Sequence, residues 1–182
     1  MDEKSNQPEV SVVIPCLNEE EGLRILLPRL REVADEIIVI DNGCTDETAS
    51  VARSGGARVI YEKEKGYGLA HQRGFAAARG RFIVTMDGDG TYPPEIIPEV
   101  LAHKKCTGID FVSCARFPLD DSGAMFFKNY LGNRLTTILT RLMFGYKLKD
   151  AMTGMWIFRR DLIDKLLPLG DGMDLSLEIK LK

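Results

Sequence analysis

The chain has 182 residues, of which 45% are hydrophobic and 28% charged, and its formal net charge is −3. This length suits one domain with a substantial core, and the dispersal of Lys and Arg among Asp and Glu argues against a nucleic-acid-binding face. No stretch approaches the roughly 18 uninterrupted apolar residues of a membrane-spanning helix, and no apolar segment follows a basic start as in a secretory signal.

Strand-like and helix-like patterns alternate along the chain. We predict strands at 10–15, 35–41, 57–61, 81–86, 109–114 and 153–158. We predict helices at 19–33, from Thr45 onward, and at 69–78, 94–104 and 125–144. This order predicts an α/β fold with a doubly wound, mostly parallel sheet, right-handed crossovers and helices on both faces. We expect residues 1–9 to be a flexible N-terminus and 10–182 to form one domain.

Cysteine and histidine give no sign of a metal centre. The cysteines lack CxxC spacing: Cys16, Cys44, Cys106 and Cys114. We interpret them as reduced thiols of a cytoplasmic protein. His71 and His103 lie in helical patterns without partners at metal-ligand spacing, so we expect both to be structural or surface residues.

Two carboxylates, Asp87 and Asp89, follow directly after the predicted strand at 81–86. That strand carries no charge across its middle, which is typical of a strand buried on both faces, and ligands bind beyond the carboxyl ends of such strands. A simple turn is the alternative, because Asp and Gly tolerate tight backbone. Carboxylate oxygens suit Mg²⁺ or Mn²⁺, and Mg²⁺ is held by one or two carboxylates plus substrate phosphates. The pattern therefore indicates a cation and a phosphorylated small molecule.

Polar residues also follow the first two predicted strands. Asn18 and Glu19 follow the first strand, Asp41 ends the second and Asp46 lies just beyond it. Such groups accept hydrogen bonds from ribose hydroxyls or pair with base edges. Helix capping is the alternative for Asn18 and Asp46, whereas Glu19 and Asp41 fit capping less well.

The ordered set of motifs resembles family 2 glycosyltransferases of the GT-A fold over roughly residues 10–160. The motifs are Val13-Ile14-Pro15, Asn18-Glu19, Val39-Ile40-Asp41, Thr45-Asp46, Lys65-Gly66-Tyr67-Gly68 and Asp87-Gly88-Asp89. Two later segments are similar to those of dolichyl-phosphate mannose synthases and related polyprenyl-phosphate glycosyltransferases: Gly132-Asn133-Arg134 and Asp150-Ala151-Met152-Thr153-Gly154-Met155.

The resemblance implies a nucleotide-binding half at about 10–115 and an acceptor half at about 116–182. Residues implied to contact the nucleotide are Pro15, Asn18, Glu19, Asp41, Lys65, Gly66 and Asp87. Asp89 is implied as a metal ligand, and Asp87 as shared between ribose, phosphate and metal. Thr91 stands where some relatives carry an amide side chain, so water is a candidate third ligand. Relatives often continue past the position of Lys182 into further helices, some of them membrane-spanning.

The implied activity is inverting, metal-dependent transfer of a hexose from a UDP- or GDP-linked sugar to a polyprenyl or dolichyl phosphate, at the cytoplasmic face of a membrane. Arg116 and Arg134 are candidates for the acceptor phosphate because Arg offers a planar fork, and a solvated surface position is the alternative for each. Asp150 and Glu178 are further acceptor-side candidates. Two other functions stay open: transfer to a sugar hydroxyl in polysaccharide synthesis, and noncatalytic nucleotide-sugar binding.

The predicted helix at 125–144 carries one apolar stripe, with Arg134 and Arg141 along its edge. The stripe consists of Phe127, Leu131, Leu135, Ile138 and Leu142. It is compatible with packing on the protein's own core and with an amphipathic helix at a membrane surface, where basic side chains meet lipid phosphates.

Overall fold

A computed structural model of the chain describes residues 7–116, 127–145 and 148–182. Within them, the strands are β1 (Val10–Cys16), β2 (Glu36–Asp41), β3 (Arg58–Tyr61), β4 (Phe82–Thr85), β5 (Phe111–Ser113) and β6 (Trp156–Arg159). The α-helices are α1 (Glu20–Leu30), α2 (Thr48–Ser54), α3 (Tyr67–Ala77), α4 (Ile97–Thr107), α5 (Phe127–Phe144), α6 (Ile163–Leu166) and α7 (Leu175–Leu181). Short 3₁₀ turns, Pro94–Ile96 and Arg160–Leu162, lead into α4 and α6.

The strands form one sheet in the order β3-β2-β1-β4-β6-β5. The first four run parallel, whereas β6 runs antiparallel to both of its neighbours, β4 and β5. The predicted doubly wound, mostly parallel sheet is therefore confirmed. Because β1, β2 and β4 run in one direction, their carboxyl ends meet at the same edge, and the antiparallel β6 begins at that edge beside the end of β4.

Both faces of the sheet are buried, and successive residues alternate between them. In β1, Ile14 packs in a core with residues of α1, α2 and α4, while Val13 packs in a second core with residues of α3, α6 and α7. In β4, Val84 and Ile83 divide in the same way. The strand at 81–86 was predicted to be buried on both faces, and the division of Val84 and Ile83 between the two cores confirms it.

Several element boundaries differ from the prediction. Helix α2 begins at Thr48 rather than at Thr45. The carboxylate of Asp46 accepts hydrogen bonds from the backbone N–H of Thr48 (3.0 Å) and from that of Glu20 (3.3 Å). Asp46 therefore links the loop before α2 to the start of α1, and α2 begins only after this loop. Helix α3 begins at Tyr67, within the segment predicted to be a loop.

The first strand begins at Val10, as predicted, and the residue before it also contacts the sheet. Residues 1–6 lie outside the described part of the chain. The backbone N–H of Glu9 donates to Asp35 Oδ2 (2.8 Å), and the Glu9 carbonyl accepts from Phe82 N–H (2.8 Å). Contacts with the sheet thus begin before residue 10.

Helix α5 does not bury its apolar stripe in the described part of the molecule. Among the side chains of α5 that the structure describes, Thr137 and Thr140 are buried, 4% and 3% exposed, whereas Leu135 and Leu142 are 55% and 77% exposed. Each threonine hydroxyl donates to the backbone carbonyl four residues earlier, so both hydroxyls have a hydrogen-bond acceptor although they are buried. The side chain of Phe127 lies outside the described part. Among the described residues, no helix combines the length and apolarity needed to cross a membrane.

Candidate active site

A cavity of about 1280 Å³ opens at the sheet edge where the parallel strands end. The first half of the chain supplies Pro15, Cys16, Leu17, Glu19, Asn42, Lys65, Gly66, Tyr67, Ala70, Asp87, Gly88, Asp89, Thr91, Tyr92, Pro93 and Ile96. The second half supplies Cys114, Ala115, Arg116, Gly132, Asn133, Thr136, Met152, Met155 and Met173. This is the edge at which open α/β sheets bind ligands. The structure therefore brings both halves of the chain to one candidate site.

Asp87 and Asp89 lie together on this wall, directly beyond β4. Asp87 is half-buried and receives no hydrogen bond from the described residues. Burial and the neighbouring Asp89 carboxylate raise the pKa of Asp87 to about 6. Asp89 is exposed, and its Oδ1 accepts hydrogen bonds from the backbone N–H (2.9 Å) and the hydroxyl (2.8 Å) of Thr91. Thr91 therefore orients one carboxylate of the pair, while the other has no donor from the described protein.

This arrangement fits a divalent cation bound through oxygen ligands. Burial, followed by the charges of Asp89 and Asp87, also raises the pKa of Glu19, so three carboxylates repel one another in this part of the cavity. A cation would relieve that repulsion and give Asp87 the partner it lacks. In the described parts of the chain, no group of three or more acidic, histidine or cysteine side chains is arranged to hold a metal. The remaining ligands would come from a bound phosphate and water.

Asn18 and Asp41, predicted to contact the nucleotide, do not lie on the cavity wall. Asn18 Oδ1 accepts from the backbone N–H of Thr45 (2.7 Å). Asp41 Oδ1 accepts from the backbone N–H groups of Gly43 (3.1 Å) and Cys44 (2.8 Å). Both side chains thus hold the loops that follow β1 and β2, and Asn18 links the two loops rather than capping its own helix.

Asn42 holds the loop that carries Lys65 and Gly66 to the cavity. Its Oδ1 accepts from the backbone N–H of Gly66 (2.9 Å), and its Nδ2 donates to the carbonyls of Glu62 (3.3 Å) and Glu64 (2.7 Å). This role of Asn42 was not predictable from the sequence, because an Asn before Gly is also an ordinary turn signal.

Arg116 lies on the cavity wall in a bidentate ion pair with Asp150. Its Nε donates to Asp150 Oδ2 (2.8 Å) and its Nη2 to Oδ1 (3.1 Å), with the two side chains 20% and 0% exposed. Burial acts to raise the pKa of Asp150, but the hydrogen bonds and charge of Arg116 outweigh it and lower that pKa. Asp150 is therefore held as a carboxylate partner of Arg116 and is not a free base.

Two other acceptor-side candidates lie away from the wall. Arg134 is exposed on α5, next to Asn133, which does line the cavity. The carboxylate of Glu178 accepts from the backbone N–H of Gly170 (2.6 Å) and pairs with Lys182 (2.8 Å), so it fastens α7 to the preceding turn.

Gly154 faces the carboxylate of Asp87 from the turn before β6. A Cβ at this position would lie 2.7 Å from Asp87 Oδ1 and 2.9 Å from Oδ2. The backbone of Gly154 is fixed on both sides, because its N–H donates to the hydroxyl of Tyr92 (2.8 Å) and its carbonyl accepts from the hydroxyl of Thr85 (2.7 Å). Glycine fits this position because any side chain would collide with the Asp87 carboxylate.

Comparison with protein families identifies the class to which this architecture belongs. The model of the family described as "Glycosyl transferase family 2" matches residues 11–167. The chain therefore belongs to glycosyltransferase family 2, and the resemblance found in the sequence is confirmed.

Three curated relatives show the range of similar proteins. A dolichyl-phosphate hexose transferase of Haloferax volcanii is 33% identical over 158 residues, covering 85% of this chain and 68% of the relative. A low-salt glycan biosynthesis hexosyltransferase of the same organism is 30% identical over 179 residues, covering 94% and 43%. An undecaprenyl-phosphate 4-deoxy-4-formamido-L-arabinose transferase of Pseudomonas fluorescens is 30% identical over 171 residues, covering 87% and 49%. The chain thus spans about half the length of the last two relatives.

A solved structure shares the fold. Glucosyl-3-phosphoglycerate synthase from Mycobacterium tuberculosis, in complex with Mn²⁺, UDP and glucosyl-3-phosphoglycerate, superposes with a TM-score of 0.75 at 25% identity. The similarity covers 97% of this chain and 65% of that one. The fold is that of the GT-A glycosyltransferases.

Proposed function

We propose that this chain transfers a hexose from a UDP- or GDP-linked sugar to a polyprenyl or dolichyl phosphate, with inversion at the anomeric carbon. The observation that carries the proposal is the distribution of charge around the cavity. Its three carboxylates, Glu19, Asp87 and Asp89, come from the first half of the chain, which also supplies Lys65, whereas the charged residue from the second half is Arg116. An anionic acceptor suits the second half, and a cation-bound diphosphate suits the first.

On the donor side, Asp87 and Asp89 would hold Mg²⁺ or Mn²⁺. Such a cation acts as a Lewis acid that stabilises the negative charge developing on a departing diphosphate. The complex of the M. tuberculosis synthase with Mn²⁺ and UDP supports this assignment. Pro15, Glu19, Lys65 and Gly66 are proposed to line the nucleotide pocket directly. Asn18 and Asp41 are proposed to shape it by holding the loops after β1 and β2.

On the acceptor side, the described cavity wall contributes no carboxylate from the second half of the chain. A sugar hydroxyl would need a general base to take its proton, and the nearby Asp150 is bound to Arg116 (2.8 Å). A phosphate oxygen is already anionic at neutral pH and needs cationic positioning instead. This difference supports a lipid phosphate over a sugar hydroxyl as the acceptor.

The proposed reaction is a single displacement. An acceptor phosphate oxygen forms a bond to the anomeric carbon from the face opposite the diphosphate. The bond between that carbon and the diphosphate oxygen breaks, and its electron pair leaves with the nucleoside diphosphate. No proton is transferred, so the residues of the site need only bind, orient and stabilise charge. Arg116 would position the acceptor phosphate, with Arg134 on α5, next to the cavity-lining Asn133, as a second candidate.

Helix α5 is proposed to lie against the membrane that contains the lipid acceptor. Its outward face is apolar, and residues 127–144 include three basic and no acidic residues. Exposed apolar side chains bordered by basic ones are typical of helices at an anionic bilayer surface. The names of the dolichyl- and undecaprenyl-phosphate transferases among the relatives support this acceptor.

The proposal is tested by assaying the purified chain with UDP- and GDP-hexoses, with and without Mn²⁺. Acceptors would be a short polyprenyl phosphate, a soluble oligosaccharide and 3-phosphoglycerate. We expect metal-dependent transfer to the polyprenyl phosphate and a product anomer opposite to that of the donor by NMR. Preferential transfer to the oligosaccharide would instead establish polysaccharide synthesis. Calorimetry with UDP and GDP is the accompanying measurement, since nucleotide binding without transfer to any acceptor would indicate a binding module.

A further inference from the structure

Lys180, near the end of α7, reaches back to the turn that precedes β6. Its Nζ donates hydrogen bonds to the carbonyls of Ala151 (2.7 Å) and Thr153 (3.0 Å) and to the hydroxyl of Ser176 (3.1 Å). The same Nζ lies 5.4 Å from the ring centroid of Trp156. An ammonium group has three donors and no acceptor, so each donor of Lys180 has a partner.

The carbonyl of Thr153 accepts two further side-chain hydrogen bonds. The indole Nε1 of Trp156 donates to it at 2.8 Å, and the hydroxyl of Ser176 donates to it at 3.1 Å. Trp156 of β6 and two residues of α7, Ser176 and Lys180, therefore all donate to the carbonyl of the peptide that joins Thr153 to Gly154. Helix α7, which is far from this peptide in sequence, thus adds two side chains to the contacts that Tyr92 and Thr85 make with Gly154.

This peptide carries Gly154 against the carboxylate of Asp87. A Cβ at Gly154 would lie 2.7 Å from Asp87 Oδ1, so a small shift of the turn changes the space available to that carboxylate. Asp87 receives no hydrogen bond from the described residues that would hold it independently. The charge of Lys180 also reaches Asp87: burial and Asp89 raise the Asp87 pKa, whereas Arg116 and Lys180 oppose that rise.

We propose that Lys180 is a positioning residue for the donor site: by holding the Ala151 and Thr153 carbonyls, it keeps Gly154 against Asp87 and so keeps Asp87 in place to share a divalent cation with Asp89. The inference rests on the proposed function, because it takes these two carboxylates as the cation site. Lys180 is not among the cavity-lining residues and acts through the backbone of the turn.

Lys182 offers a matched control on the same helix. Its Nζ pairs with Glu178 (2.8 Å), donates to the Leu166 carbonyl (3.1 Å) and contacts the Pro168 carbonyl. It therefore anchors α7 to α6 without touching the turn at 151–154. A variant of Lys182 reports the effect of loosening α7 alone.

The experiment compares Lys180→Met and Lys182→Met in the full chain. Calorimetry would measure Mn²⁺-dependent binding of whichever of UDP and GDP the wild type binds, and urea unfolding would measure stability. We expect Lys180→Met to weaken metal-dependent nucleotide binding by about tenfold or more, the size typical of a residue that orients a metal ligand. Lys182→Met is expected to bind within about twofold of wild type, whatever its loss of stability. Equal binding by Lys180→Met and wild type would overturn the inference.

Lys180→Gln decides the question if Lys180→Met does not fold. It keeps a polar side chain at this position, but the side chain is shorter and has two N–H donors for the three acceptors that Lys180 contacts. Weaker metal-dependent binding in Lys180→Gln supports the inference, and wild-type binding opposes it. A wild-type chain without metal-dependent nucleotide binding would overturn the proposed function and this inference together. Tight wild-type binding that neither variant changes overturns the inference alone.

Discussion

The imidazole of His71 packs against the indole of Trp156 with the ring centroids 5.2 Å apart. The imidazole is completely buried, its Nδ1 lies 2.9 Å from the Tyr67 carbonyl, and its Nε2 has no hydrogen-bond partner among the described residues. Burial lowers the pKa of His71 to about 4, although the hydrogen bond to Tyr67 opposes this shift. The core between α3 and β6 is therefore built around a neutral histidine.

This histidine is expected to make the fold sensitive to acid. The unfolded chain has an ordinary His pKa of about 6.5 and the folded chain one of about 4, so the unfolded state binds more protons between these values. Stability is thus fully present above about pH 6.5 and falls as the pH drops toward about 4, by up to about 3 kcal/mol. Urea unfolding of wild type and His71→Leu at pH 7.5 and 4.5 would measure it. Wild type should lose more stability than the variant over this interval, and equal losses would contradict the assignment.

Replacing Gly154 by Ala is expected to impair donor binding more than folding. The added methyl group would lie 2.7 Å from Asp87 Oδ1 and force that carboxylate aside. We expect metal-dependent nucleotide affinity to fall by about tenfold, as measured by calorimetry, while far-ultraviolet circular dichroism stays unchanged. An Ala variant with wild-type affinity would show that Asp87 does not need its observed position.

Replacing Asp89 by Ala is expected to abolish transfer with little effect on stability. Asp89 is exposed, and its described partner is the neighbouring Thr91. Transfer should fall by about a hundredfold or more, whereas the free energy of unfolding should change by no more than about 0.5 kcal/mol. Asp164→Ala, on the exposed surface of α6, is the control. Full activity in the Asp89 variant would remove the basis for the cation site.

Replacing Asp150 by Ala is expected to destabilise the fold, because it leaves Arg116 without its bidentate partner. Losing one member of a buried ion pair costs about 3 kcal/mol or more, and Arg116 is only 20% exposed. Urea unfolding of the two single variants and of the double variant with Arg116→Leu would isolate the pair. The double variant should be more stable than the sum of the single losses implies, and simple additivity would argue against the coupling.

Membrane contact by α5 predicts that a charge on its outer face weakens lipid binding without unfolding the protein. Leu142→Glu places a carboxylate at a residue that is 77% exposed, so stability should hardly change. Co-sedimentation with vesicles containing anionic lipid should fall for this variant. Ile25→Glu, at a 63% exposed residue of α1, is the matched control and should sediment like wild type. Equal loss in both variants would indicate nonspecific repulsion.

The parallel half of the fold was predictable because each strand there is rich in apolar, mostly β-branched residues and is followed by a helical pattern. The antiparallel direction of β6 was not predictable in the same way, since an apolar run does not encode the direction of pairing. The buried side of α5 was not predictable for a different reason. Thr137 and Thr140 satisfy their hydroxyls on the helix backbone and can be buried, so the apolar stripe did not mark the buried side.

The candidate site was partly predictable because Asp87 and Asp89 follow a strand directly in sequence. The hydrogen bonds that hold the turn beside Asp87 were not predictable. Lys180 is one of many lysines in the chain, and its contacts with Ala151 and Thr153 depend on how α7 packs. Long-range hydrogen bonds of this kind have no sequence spacing from which they can be inferred.

The pairing of β5 with β6 brings together the two ends of the long segment between these strands. Ser113 pairs with Trp156, and Cys114 N–H donates to the Met155 carbonyl (3.0 Å). Residues 114–155 therefore leave and re-enter the sheet at adjacent positions, so both attachment points stay fixed when the intervening chain changes. We propose that exchanging this segment between members of the family changes acceptor choice, and that donor choice is kept where the exchanged turn at 151–154 still holds Gly154 against Asp87.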